Sequence, residues 1–132
     1  MNNEILISEN EKKTFVFDTY AIMEIIKGNP KYEPYIDSKI IINNFIFAEL
    51  CYNLYKGNNL KVEEYSQKYS QFISSLKPEW IKEAMRFRIK WKDRNVSMTD
   101  CISYIMAQEL GIKFLTGDKE FENIEGVEFV KK

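Results

Sequence analysis

Histidine is absent from the 132 residues. Its absence removes Ser–His and Cys–His nucleophile pairs, histidine general bases and the usual histidine-rich zinc sites. Any chemistry must then rest on carboxylates, lysines, hydroxyls or a bound hard cation. Cysteine is scarce: Cys51 and Cys101 are too few for a disulfide framework, and a reduced cytoplasmic setting is expected. Long apolar runs are also missing, so no membrane span and no secretory leader is expected. Nor does one sign of charge dominate. With 19 basic and 20 acidic residues the net charge is −1, and a surface for nucleic acid has to be local.

What is present supports a folded domain. Apolar residues make up 45% of the chain, enough to build a core and to argue against disorder. Thr14 to Phe17 reads as a β-strand, and the run from Thr19 to Lys27 as a helix stopped by Gly28-Asn29-Pro30. Lys39 to Ile42 reads as a buried strand feeding a helix that contains Glu49 and ends at Gly57-Asn58-Asn59. A polar-faced helix is expected from Leu60 to Leu76. Pro78 opens another, with Trp80, Ala84, Phe87 and Trp91 on one face. Met98 to Leu110 is a further helix ended by Gly111, followed by strands at Lys113–Thr116 and Val127–Val130. Strands alternating with helices imply an α/β fold, a three-layer α/β/α sandwich around a short, mostly parallel sheet. Residues 14–132 form this domain, and residues 1–13 are an extension or an edge strand.

Four acids stand out. Asp18 follows the first strand, where ligands gather in open α/β sheets, although it also suits a helix cap. Asp100 closes Ser97-Met98-Thr99-Asp100, which has capping-box spacing. Asp118 lies in Thr116-Gly117-Asp118-Lys119, ordinary turn chemistry after a strand. Glu49 is harder to explain. On a helix it shares a face with Phe45, Ile46, Tyr52 and Asn53, none of them cationic. A carboxylate there needs compensation from elsewhere in the fold. In a parallel sheet the four positions can converge at one edge. Crowded carboxylates raise one another's pKa unless a cation joins them, and Mg²⁺ or Mn²⁺ suits oxygen ligands.

The order of these residues resembles a known family. The stretch DCISYIMAQELGIKFLTGDKEF, from Asp100 to Phe121, is similar to the closing signature of PIN domains. Phe15-Val16-Phe17-Asp18-Thr19 resembles that family's opening strand with its first acid, and NFIFAELCYNLY the helix carrying its second. The match runs from about Thr14 to Val130. The resemblance implies a Mg²⁺- or Mn²⁺-dependent endoribonuclease, closest to the small toxins of the VapC type. Asp18, Glu49, Asp100 and Asp118 would be the acidic cluster and Thr116 its accompanying hydroxyl. The three aspartates would serve as metal ligands, and Glu49 as a ligand or as the group that orients the attacking water. It also implies a small antitoxin partner and a homodimer. The alternatives are a PIN nuclease of RNA processing and a non-catalytic RNA-binding module.

RNA would need positive charge beside the acids. On the helix after Pro78, Arg86, Lys90 and Arg94 follow at i, i+4 and i+8 and form one basic stripe. Phe87 and Trp91 fit core packing better than base stacking. Cys51 and Cys101 neighbour proposed ligands, but adjacent helical side chains point roughly 100° apart. They read as small hydrophobes.

Overall fold

Phe15, Val16 and Phe17 form an unbroken apolar run, and the fold buries all three. A strand apolar on both faces belongs in the middle of a covered parallel sheet. The structure, a computed structural model, describes residues 12–132. In it β1 (Thr14–Phe17) is central, flanked by β2 (Lys39–Ile41) and β3 (Lys113–Thr116), with β4 (Val127–Phe129) beyond β3. Every pairing is parallel, with Phe15 opposite Ile40, Phe17 opposite Leu115, and Leu115 opposite Glu128. Among the described residues the sheet is wholly parallel, as the alternation of strands and helices leads one to expect.

Parallel neighbours require crossover connections. Helix α1 (Thr19–Ile26) and a 3₁₀ turn at Pro30–Tyr35 join β1 to β2. Four helices lead from β2 to β3: α2 (Asn44–Lys56), α3 (Val62–Ser70), α4 (Pro78–Lys90) and α5 (Met98–Leu110). A short 3₁₀ turn at Lys119–Phe121 precedes β4. Helix α5 is buried continuously from Cys101 to Ala107 because it packs on β1 and β3 while α4 covers its outer side. Aromatic rings fill the junction. Phe87 lies 4.4 Å from Trp91 and 5.2 Å from Tyr104, and Phe121 packs 5.5 Å from Trp91 and 5.4 Å from Phe114. Phe87 and Trp91, both partly buried, therefore pack against the core.

Two expected elements differ. Strand β2 is only half-buried, because it forms the sheet edge and pairs on one side alone. The helix expected over Leu60–Leu76 is confined to Val62–Ser70. Tertiary pairing ends it: Ile42 N–H donates to the Phe72 carbonyl at 3.0 Å, and Ser74 N–H to the Ile42 carbonyl at 2.8 Å, so Ile73 extends alongside Ile42. Leu60, fully exposed, lies in the turn before α3. Residues 1–11, most of the expected extension, lie outside the described residues. At its end, the Lys13 carbonyl accepts from Lys39 N–H at 2.9 Å.

Asn43 anchors the helix that carries Glu49. Its buried Oδ1 accepts from the N–H groups of Phe45 and Ile46, each at 3.0 Å, and its Nδ2 donates to Ser103 Oγ at 3.1 Å. Asn43→Ala leaves two helix-start donors and the Ser103 hydroxyl without these partners. We expect a loss of about 2 kcal/mol in urea unfolding, at the upper end for a lost cap. A midpoint unchanged from wild type would contradict this role.

Candidate active site

The register of the central strands brings the first two site residues together. Phe17 pairs with Leu115, so the next residues, Asp18 and Thr116, stand side by side at the carboxyl ends of β1 and β3. Asp18 N–H donates to the Leu115 carbonyl at 2.9 Å, and Thr116 Oγ1 donates to Asp18 Oδ2 at 2.7 Å. Asp18 precedes α1, yet its side chain makes no cap hydrogen bond; the capping explanation fails for it. Thr116 Oγ1 also accepts from Asp118 N–H at 3.1 Å. This buried hydroxyl lies behind the cleft and ties two of the acids together.

Between Thr116 and Asp118 stands Gly117. A Cβ there would come within 2.9 Å of both the Tyr32 hydroxyl and the Val130 carbonyl, and 3.0 Å of the Tyr20 ring. The turn that presents Asp118 thus lies against its neighbours at a distance only glycine allows.

Glu49 reaches the same place from α2, which packs against α1. Thr19 Oγ1 donates to Glu49 Oε1 at 2.8 Å, spanning thirty positions of sequence. Asp100 opens α5 in a complete capping box: Ser97 Oγ accepts from its N–H at 3.0 Å, and Ser97 N–H donates to Asp100 Oδ2 at 3.2 Å. Asp118 Oδ1 accepts from Glu120 N–H at 3.0 Å and caps the short 3₁₀ turn. The turn-and-cap explanations for Asp100 and Asp118 therefore hold, but each uses one oxygen only.

That pattern repeats in all four acids. Each carboxylate gives one oxygen to a protein donor, and the other (Asp18 Oδ1, Glu49 Oε2, Asp100 Oδ1, Asp118 Oδ2) has no hydrogen-bond donor among the described residues. Those oxygens are not sealed in. Among the described residues the buried, unpartnered side-chain polar atom is the Tyr32 hydroxyl. Asp18, Glu49, Asp100 and Asp118 line one open cleft of about 610 Å³, together with Thr19, Tyr52, Lys27 and Lys132. Among the described residues no lysine or arginine forms an ion pair with any of the four.

The electrostatics record the crowding. Burial pushes the Asp18 carboxyl up to about 7, and the charges of Asp100, Glu49 and Asp118 push in the same direction against the Thr116 hydrogen bond. Asp100 is also raised, chiefly by burial, with its Ser97 hydrogen bonds opposing. A cation beside Asp18 and Asp100 would offset the cost of ionising them side by side. The donor set, all oxygen and no imidazole or thiolate, fits Mg²⁺ or Mn²⁺. Among the described residues no three such groups converge into a ready-made cage. The thiols do not join in: burial raises Cys51, and Cys101, fully buried, is pushed up to about 11.

A family model described as the PIN domain matches residues 15–127. The chain belongs to the PIN domain family. Among solved structures, this PIN domain is similar to a toxin–antitoxin complex from Klebsiella pneumoniae, with a TM-score of 0.74 at 17% identity over 89% of this chain and 98% of that one. It is also similar to VapBC2 from Rickettsia felis bound to a DNA fragment from its promoter, with a TM-score of 0.60 at 18% identity over 88% and 96% of the two chains. At such identities the likeness is one of fold. A search of curated proteins finds no match.

The basic stripe proposed from helical spacing does not face this cleft. Arg86 pairs with Glu83 at the helix surface, Lys90 is exposed, and Arg94 Nη1 donates to the Glu120 carbonyl at 2.7 Å. The cations that do line it are Lys27, paired with Glu24 at 3.6 Å, and Lys132, whose ammonium lies 4.3 Å from the centre of the Tyr20 ring. Sequence reasoning missed both, along with Thr19. A hydroxyl beside the first acid was an available signal for Thr19; no local pattern points to Lys132.

Proposed function

We propose that this PIN domain is a Mg²⁺- or Mn²⁺-dependent endoribonuclease, acting as the toxin of a toxin–antitoxin pair in the cytoplasm. The observation that carries the reading is the set of four carboxylates around one cleft, each with one oxygen anchored and one unpartnered among the described residues. Asp18, Asp100 and Asp118 would hold the metal ion. The ion would supply charge neutralisation at the phosphate and an activated water. Glu49 would act as a ligand or hold the attacking water through Oε2, with Thr19 fixing its orientation. Thr116 would position Asp18 and Asp118 rather than contact substrate. The likeness to chains from toxin–antitoxin complexes supports a small antitoxin partner that covers the cleft, and a homodimer is the expected assembly.

Mapping RNA ends tests this directly. Purified protein with total RNA and Mn²⁺ should generate new 5′-phosphate ends. They should vanish with chelator and with Asp100→Asn. Cleavage indifferent to both would remove the acidic cluster from the reaction.

A further inference from the structure

A second cavity, about 320 Å³, lies at the end of α4 and is lined by Arg88, Ile89, Trp91, Lys92, Arg94 and Val96. Three of its six lining residues are cations, and among the described residues none of the three pairs with a carboxylate. Arg86, on the same helix, does pair with Glu83 and does not line the groove. Asp93, between Lys92 and Arg94, does not line it either. Compensation of the helix dipole accounts for Arg88 in the last turn of α4, but not for Lys92 and Arg94 beyond it.

The groove is preorganised. The Arg94 guanidinium lies 4.4 Å from the Trp91 ring centre and is pinned by the Glu120 carbonyl. Arg88 Nε leans on the Val96 carbonyl at 3.4 Å. An arginine already held in place loses less side-chain freedom when it meets an anion. The linings of the groove and of the acidic cleft are consecutive along the chain. Val96 lines the one and Ser97, the next residue, lines the other and binds Asp100.

We propose that the groove lined by Arg88, Lys92 and Arg94 binds the phosphodiester backbone of single-stranded RNA as it leaves the acidic cleft over Val96 and Ser97. This rests on the nuclease reading and adds to it the path of the substrate and the residues that hold it. Cations displaced from the acids suit that task. Close to the metal-binding oxygens a lysine would compete with the ion; one step along the chain it can neutralise a neighbouring phosphate instead.

The test compares Lys92→Gln and Arg88→Gln/Lys92→Gln with wild type on two substrates in Mn²⁺. One is a short randomised single-stranded RNA and the other bis(p-nitrophenyl) phosphate, which is too small to reach the groove. Each lost phosphate contact on a single strand flattens the log–log salt dependence by about 0.7. The double variant should therefore show a slope shallower by about 1.4 and an RNA kcat/KM lower by roughly 10- to 30-fold at 0.1 M salt, through KM. The small diester should be hydrolysed at the wild-type rate. Lys92→Gln alone, at an exposed side chain with no partner among the described residues, should flatten the slope by about 0.7 and leave the melting temperature unchanged. An unchanged slope, or equal losses on both substrates, would overturn the proposal. If wild type hydrolyses neither substrate, the nuclease reading fails, and anisotropy of labelled RNA then decides the groove by the same slopes. Polyglutamate that displaces the RNA from wild type but not from the double variant would assign the groove to an acidic protein partner instead.

Discussion

Asp18→Asn should lower RNA cleavage by about 10³-fold or more while making the metal-free protein more stable at pH 8. The loss of activity follows from the proposed role of Asp18 as a metal ligand: several kcal/mol of charge stabilisation would disappear from the reaction, and each 1.4 kcal/mol or so is tenfold in rate. The gain in stability follows from the same geometry. Asp18 is buried, faces three other acids and has no cationic partner among the described residues. An amide at that position keeps an oxygen for Thr116 and sheds the charge. Its carboxyl is raised in the folded state from 3.8 to about 7, so ionising it there opposes folding by at most about 4 kcal/mol. A residue placed for structure alone would move stability and activity together. Thermal melting beside a cleavage assay separates the two cases, and a lower melting temperature in the variant would contradict the account.

The second large effect concerns pH and metal. Below about pH 4 Asp18 carries its proton in both folded and unfolded chains, and burial costs it nothing as a charge. Between pH 4 and 7 the unfolded chain releases the proton and the folded chain retains it, so metal-free stability falls as pH rises. Asp100, raised in the same direction, adds to the decline. Above pH 7 the loss attributable to Asp18 is complete, again about 4 kcal/mol at most. Saturating Mn²⁺ should reverse it, by about 2.7 kcal/mol at one hundred times its dissociation constant. The recovery should be larger at pH 8 than at pH 5.5, where protons compete for the carboxylates. Chemical denaturation with and without Mn²⁺ at the two pH values measures this. Stability that rises through the interval without metal would show the acids to be compensated by other means.

Much of this was legible in the residues. Three uninterrupted apolar residues before Asp18 set the central strand, and alternation of strands with helices set the parallel sheet. Ser97 and Asp100 announced their capping box by spacing alone. At Ile73, Asp18 and Glu49 the deciding partner was remote in sequence. Ile73 left its expected helix because Ile42 offered a strand partner, and no local propensity encodes that. Asp18 has the sequence context of a cap, but register with Leu115 turned its carboxylate to Thr116 instead. For Glu49 the sequence posed the question of compensation, and Thr19 gives only part of the answer. The basic stripe drawn from Arg86, Lys90 and Arg94 was sound as helical geometry. It could not reveal that Glu83 claims Arg86 or that the helix ends at Lys90.

Calorimetric titration of Mn²⁺ into wild type, Asp18→Asn and Asp100→Asn near pH 7 tests the central claim most directly. The account predicts binding to wild type with release of protons from the acid cluster, much weaker binding in Asp100→Asn and none detectable in Asp18→Asn. Absence of binding to wild type, or equal binding to all three, would contradict it.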